Sequence, residues 1–153
     1  KEVENFLLEP QVLHTALSSL AKKRQEFTGK AVEMPSEETC RTKLNEIVDG
    51  DEIRNMIKYQ IVPRYSESLD SGLDASTRME QSEEWWNEQW KDHEFRVKRC
   101  PGKKVLAELR RWCQSEFGLT LSSGELTRSF PRCPDEIARV AKRIEQHFYE
   151  SGE

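Results

Sequence analysis

Apolar residues recur every three or four positions along the first 65 residues, a spacing that is typical of amphipathic helices. One such stripe covers residues 10–27, a second covers 36–48, and a third covers 51–61. We expect Pro63 to end the third helix, because proline has no N–H to donate within a helix. Three helices that bury their stripes against one another predict a small N-terminal helical bundle over residues 1–65.

The same spacing returns in the last part of the chain. A tryptophan-rich stripe covers residues 82–97, a second covers 105–117, a short one covers 122–130, and a last one covers 134–148. These patterns predict a C-terminal helical domain over residues 82–153. In this domain three helices form a helix-turn-helix-like unit, and the tryptophan-rich helix is added to it. No alternating pattern typical of a strand persists in the chain, so the predicted fold class is all-α.

The segment between these two regions has a different composition. Residues 66–81 contain five serine or threonine residues among acidic ones and few large apolar side chains. Such a segment buries too little apolar surface to offset the conformational entropy that ordering removes. We therefore expect an acidic flexible linker at 66–81. The pattern leaves open whether the two helical regions contact each other.

The uneven charge of the chain bears on its partners. The net charge is −4 over 153 residues, but residues 66–94 hold nine acidic and two basic residues. Residues 95–153 instead hold twelve basic and eight acidic residues. Such an asymmetry affects which partners a protein attracts, rather than its fold.

The sequence contains no segment that predicts a membrane partner. No run approaches 18 consecutive apolar residues, the length that a helix needs to cross a bilayer. The chain begins at Lys1 without a secretory leader, and its four cysteines are widely spaced. We expect a fragment of a larger, regulated intracellular eukaryotic protein, located in the nucleus or the cytoplasm.

Residue patterns that carry catalysis or bind cofactors are also missing. The seven glycines are scattered, and the three histidines have no neighbour at the spacing of a metal site or a nucleophile pair. The cysteines form no close pair, so a zinc site would require Cys113, Cys133 and His147 to converge in space. We therefore expect a protein that is not an enzyme and that holds no cofactor or metal.

The linker contains the sequence DSGLDAS at residues 70–76. It resembles the phosphodegron of the DSG-x-x-S type, in the variant with one extra residue before the second serine. The resemblance implies phosphorylation of Ser71 and Ser76 and recognition by the β-transducin-repeat receptor of an SCF ubiquitin ligase. An alternative is that serine, aspartate and glycine are simply the ordinary residues of a linker.

Three of the four tryptophans lie within six residues, and they suggest a contact with another protein. Tryptophan is enriched among the residues that dominate binding energy at interfaces. Trp86 and Trp90 share one helical face, and the alternative is that they pack locally within the fold. Trp85 lies off that face, so we expect it to be the most exposed of the three.

The basic C-terminal region allows a second interpretation, which is binding to DNA or RNA. Residues 117–126 resemble the turn and short helix of helix-turn-helix domains, which would make the last helix the reading helix. Candidate phosphate contacts are Lys103, Lys104, Arg139, Lys142 and Arg143. A solvated helix face is the alternative, because the last helix also carries acids and no amide side chain at its start.

The sequence therefore favours a non-catalytic module or scaffold that binds another protein. That partner is either a different protein or a second copy of this chain. Its expected partner contacts are Trp85, Trp86 and Trp90, and its expected control point is the linker. The alternative is a module that binds nucleic acid through its basic C-terminal helices.

Overall fold

The protein is helical throughout the part of the chain that the structure describes. This structure is a computed structural model, and it describes residues 3–131 together with Asp135, Ala138 and Arg139. No strand occurs among these residues. The predicted all-α fold class is therefore confirmed. The rest of the last predicted helix, 134–148, lies outside the described residues.

A short 3₁₀ turn, Val3–Leu7, precedes the α-helices. The helices of the described part are α1 Pro10–Thr28, α2 Glu37–Asp49, α3 Asp51–Ser68, α4 Ala75–Gln89, α5 His93–Arg99, α6 Gly102–Phe117 and α7 Ser123–Arg128. Helix α1 packs on α2, α2 on α6, and α3 on α4, while the 3₁₀ turn contacts α5, α6 and α7.

Local capping signals set several of these boundaries where the sequence predicts them. The Ser36 Oγ accepts a hydrogen bond from the Thr39 N–H at 3.0 Å and starts α2. Gly29 and Gly118 end α1 and α6 with φ values of 69° and 63°, in the left-handed region that glycine adopts without strain.

Helix α3 does not end at Pro63, which corrects the sequence-based expectation. It continues to Ser68 with Pro63 in its interior. The missing N–H leaves the Tyr59 carbonyl without its helical donor, and both Pro63 and Tyr59 are exposed residues. Packing of α3 on α4 then favours the continued helix.

The tryptophan-rich helix is also different from the expectation. It begins at Ala75 rather than at Ser82, because the Asp74 carboxylate caps it by accepting from the N–H groups of Ser76 and Thr77. It ends at Gln89, and a separate helix starts after Asp92, whose side chain accepts from the Glu94 N–H. The expected single helix over 82–97 is therefore two helices, α4 and α5.

These boundaries reduce the irregular chain between the two predicted regions to residues 69–74. Residues 66–68 belong to α3, and residues 75–81 belong to α4. Two antiparallel helices joined by this short loop form a hairpin. The acidic segment is thus mostly helical in the structure, and its mobility stays a prediction.

The core is continuous along the described chain. Buried residues from the N-terminal helices, such as Leu17 and Leu44, belong to the same cluster as Trp86, Leu106 and Leu126. Burial of these side chains is the main favourable contribution to folding. Both ends of the described chain therefore contribute to one hydrophobic core. The division into units 1–65, 66–81 and 82–153 stays a prediction.

Two polar side chains connect distant helix ends. The Asn5 Nδ2 donates to the carbonyl oxygens of Val97 at 2.7 Å and Cys100 at 2.9 Å, at the end of α5. The Arg24 Nη1 of α1 donates to the carbonyls of Phe117 and Gly118, at the end of α6. Both side chains satisfy carbonyls that a helix end leaves without partners.

No helix in the part of the chain that the structure describes has both the length and the apolar character of a membrane span.

Candidate partner-binding surface

Two of the three predicted contact residues lie inside the protein. Trp86 is fully buried and Trp90 is 8% exposed. Their rings stack with centroids 4.8 Å apart, and the guanidinium of Arg54 lies 5.8 Å from the Trp90 ring. The local packing interpretation therefore describes these two side chains in this fold. In this conformation the two side chains lie beneath the surface and are not available to a partner.

Trp85 lies at the surface between Tyr65 of α3 and Phe95 of α5. Its ring stacks on the Tyr65 ring at 4.1 Å with an interplanar angle of 7°, and it meets the Phe95 ring edge-on at 6.1 Å. All three side chains are half-buried. We call these three residues the aromatic ledge. Because each ring fixes the next, the ledge presents apolar surface that loses little conformational entropy when it is covered.

A groove lies next to the aromatic ledge, between α3 and the end of α5. It is lined by Met56, Ile57, Gln60, Ile61, Arg64, Lys98, Arg99, Cys100 and Pro101. We call it the cationic groove, because its lining contains three cations and no carboxylate. The Arg99 guanidinium lies 5.9 Å from the Phe95 ring of the ledge, so the two surfaces adjoin.

The three cations of the groove differ in their partners. Lys98 pairs with Glu94 at 2.8 Å, although both side chains are more than half exposed, so the pair is weak. Arg64 and Arg99 are exposed and form no ion pair with any residue that the structure describes. Two guanidinium groups beside an apolar floor therefore remain open to an anionic partner.

The structure places the two predicted phosphorylation sites differently. Ser71 is exposed in the loop 69–74, where the Asp70 carboxylate accepts from the Gly72 N–H at 2.9 Å. Ser76 is also exposed, but it belongs to the first turn of α4, and its N–H donates to Asp74 at 2.9 Å. One serine is thus in irregular chain and the other in a capped helix.

The side chain of Asp74 has a lowered pKa, and hydrogen bonds explain it. The largest contribution is the Thr77 hydroxyl, which donates to the carboxylate at 2.7 Å, followed by the Thr77 N–H. These bonds favour the ionised carboxylate. The cap is therefore intact at neutral pH and is lost as the pH falls through the lowered pKa.

The residues predicted to contact nucleic acid are only partly within the described structure. Lys103 and Arg139 are exposed, and Lys104 is half-buried. Lys142 and Arg143 lie outside the described residues. Whether the five residues share one surface therefore stays a prediction.

Lys104 and the nearby Arg96 form ion pairs with acidic residues of other elements. Arg96 pairs with Asp49 of α2 at 2.8 Å, and Lys104 pairs with Glu52 of α3. A phosphate backbone would have to compete with these carboxylates for the same cations. This arrangement connects α5 and α6 to the α2–α3 corner.

Two of the buried thiols, Cys40 and Cys113, have raised pKa values. Burial raises the pKa of Cys40 to about 11, with a further contribution from Glu37. Burial likewise raises the pKa of Cys113 to about 12, with a contribution from Cys40. Within the residues that the structure describes, no cluster of potential ligands could hold a metal ion. Cys133 and His147 lie outside these residues.

The sequence pattern does not single out Arg64, Tyr65 or Phe95, whereas Arg99 belongs to a basic run at 96–104. Tyr65 and Arg64 follow Pro63, where we expect the helix to have ended, and Phe95 belongs to a helix that the pattern merges with α4. The Asp92 cap was the local signal that would have separated α5 from α4.

Comparison with known proteins adds no relative. No family model matches the chain, and no curated protein or solved structure matches it significantly.

Proposed function

We propose that the protein is a non-catalytic interaction module whose contact surface is the aromatic ledge. The observation that carries this proposal is the position of Trp85, which is stacked on Tyr65 and yet only half-buried. A rigid aromatic side chain with remaining apolar surface is typical of the residues that dominate binding at interfaces. The buried Trp86 ring meets the Phe95 ring of the ledge edge-on at 6.3 Å, so the core contacts the ledge from within.

The loop 69–74 is the proposed control point of this module. Ser71 is exposed beside Asp70 and Gly72, and a phosphate there would add about −1.5 to −2 charge to an already acidic loop. The resemblance to the phosphodegron suggests that this charge serves recognition and turnover. The loop joins α3 to α4, which supply Tyr65 and Trp85, so modification and binding would occur on one hairpin.

The experiment that tests the proposal compares captured partners of Trp85→Ala and of a matched tryptophan variant. Trp112 is also half-buried and meets Phe117 edge-on at 5.1 Å, so Trp112→Ala removes a similar side chain elsewhere. We expect proteins that cross-link to the wild type in cells to be lost with Trp85→Ala, because removal of a central interface residue weakens affinity by roughly 30-fold. The same proteins should remain with Trp112→Ala.

Folding of the variants has to be checked in the same experiment. Thermal unfolding should show that both variants are folded at the working temperature, and Trp85→Phe should recover part of the capture by restoring a ring. Equal capture by the wild type and a folded Trp85→Ala variant would contradict the proposal.

Nucleic-acid binding stays the alternative prediction. The same purified chain should be titrated with a nonspecific DNA duplex at low and moderate salt. An affinity in the micromolar range that falls steeply with salt would favour the alternative, because release of counterions drives such binding.

A further inference from the structure

We infer that the cationic groove binds an acidic peptide segment that carries an aliphatic side chain. This inference extends the proposed function and rests on its premise that the corner formed by α3, α4 and α5 faces a partner. It adds the chemistry of that partner, which the aromatic ledge alone does not specify.

Charge complementarity is the first argument. Arg64 and Arg99 approach the groove from α3 and α5, and neither forms an ion pair with a residue of the described chain. A guanidinium binds a carboxylate through two parallel N–H···O bonds, which a lysine ammonium does not match. Two such groups on opposite sides favour a peptide with at least two carboxylates.

The groove floor is the second argument. Met56 and Ile61 are half-buried, and they line the groove together with Pro101. A partner that carried only charge would leave this apolar surface in water. A peptide with an aliphatic side chain between its carboxylates covers the floor and places its charges at the rim, and the flexible methionine adapts to its shape.

The position beside the aromatic ledge is the third argument. Arg99 contacts the Phe95 ring of the ledge, and Arg64 precedes Tyr65 in the chain. A single extended segment is therefore able to contact both surfaces. Its apolar residues would cover the ledge while its carboxylates reach the two arginines.

The test is a titration of the full chain with a fluorescein-labelled 12-residue peptide that alternates glutamate or aspartate with leucine. Its anisotropy gives the affinity, and a twin peptide with glutamine and asparagine in place of the acids is the first control. We expect the acidic peptide to bind at least tenfold more tightly than its twin. The difference should shrink as salt screens the arginine–carboxylate pairs.

Charge reversal locates the binding site. Arg64→Glu with Arg99→Glu should weaken binding of the acidic peptide at least tenfold. Lys22→Glu with Lys30→Glu changes the net charge equally at two exposed lysines outside the groove, and it should leave binding within about twofold, because distant surface charges are screened.

Several outcomes would overturn the inference. These are absence of binding, equal binding of the twin peptide, and equal losses in the two double variants, which would indicate nonspecific attraction. Tighter binding of a single-stranded oligonucleotide that depends on Arg64 and Arg99 would assign the groove to nucleic acid instead.

The outcome for the aromatic ledge is separate. If Trp85→Ala loses its captured proteins but the acidic peptide does not bind, the proposed function stands and the inference about the groove fails. If the peptide binds through the arginines while Trp85→Ala still captures every partner, the inference about the groove stands. The proposed role of the aromatic ledge then fails.

Discussion

At the scale of single residues, the structure depends on a few close contacts between distant parts of the chain. Asn5 is 4% exposed, and its Nδ2 donates to the end of α5. A Cβ atom on Gly102 would lie 2.5 Å from the Asn5 Oδ1 and 3.0 Å from the Asn5 N. At the start of α6, only a glycine leaves room for the 3₁₀ turn Val3–Leu7 that packs against it.

Gly102→Ala should therefore destabilise the protein by about 1–3 kcal/mol, because the added methyl displaces Asn5 from its buried hydrogen bonds. Urea unfolding measures this change. Gly124→Ala is the matched control, since its nearest neighbour is the flexible end of the exposed Arg128 side chain at 3.3 Å. It should be neutral or slightly stabilising, and equal losses in the two variants would argue against the close contact.

The buried thiols predict a dependence of stability on pH. Burial raises the pKa of Cys40 to about 11 and that of Cys113 to about 12, so the folded state keeps both protons where the unfolded chain releases them. The stabilisation is complete below the ordinary thiol pKa, about 8.5, and is lost as the pH rises through the raised values.

We expect the free energy of unfolding of the wild type to fall more between pH 8 and pH 10 than that of a Cys40→Ala, Cys113→Ala variant. Each thiol contributes at most about 1.4 kcal/mol per pH unit. The variant is less stable at every pH, so the slope is the quantity to compare. Parallel slopes in the two proteins would show that the thiols do not titrate in this way.

Whether a residue's contact can be predicted from the sequence depends on how far apart its two partners lie along the chain. Ser36 and Gly118 act on the backbone within a few residues, and they lie at the ends of the apolar stripes that the sequence predicts at 36–48 and 105–117. The hydrogen bond between Asn5 and Cys100 joins residues 95 positions apart, and no local sequence pattern indicates it.

At the scale of elements, the hairpin of α3 and α4 combines the proposed contact surface with the proposed control point. The helix after Pro63 supplies Arg64 and Tyr65, so continuation of α3 through the proline positions residues of both the groove and the ledge. Sequence rules predict a break there, because they register the missing N–H but not the packing of α4 on α3.

Helix α4 predicts an order for phosphorylation of the two serines. A protein kinase that reads extended substrate must unwind the first turn of α4 to reach Ser76, whereas Ser71 lies in irregular chain. With one acid-directed serine kinase, the ratio of Ser76 to Ser71 phosphorylation should be several-fold lower in the intact protein than in a synthetic peptide of residues 66–81.

Mass spectrometry of both sites gives this ratio. The peptide is the control for the intrinsic preference of the kinase, because it lacks the packing that holds α4. If the ratio is the same in the peptide and in the intact protein, the capped helix does not protect Ser76.

At the scale of the whole molecule, the two ends of the described chain share one core. The sequence predicts which stripes are apolar but not which stripes meet, since that choice depends on contacts between residues far apart. Leu44 of α2 and Leu109 of α6 are both buried in the cluster that also holds Trp86. We expect one cooperative unfolding transition, in place of the separate units that composition alone suggests.

This shared core is the central claim, because it is what keeps the ledge and the groove in fixed positions. Native-state hydrogen exchange at increasing denaturant tests it most directly. The claim predicts that the amides of Leu44 and Leu109 exchange through the same global opening, with one free energy equal to that of urea unfolding. Exchange of Leu44 through a smaller opening, at a free energy clearly below that of Leu109, would contradict it.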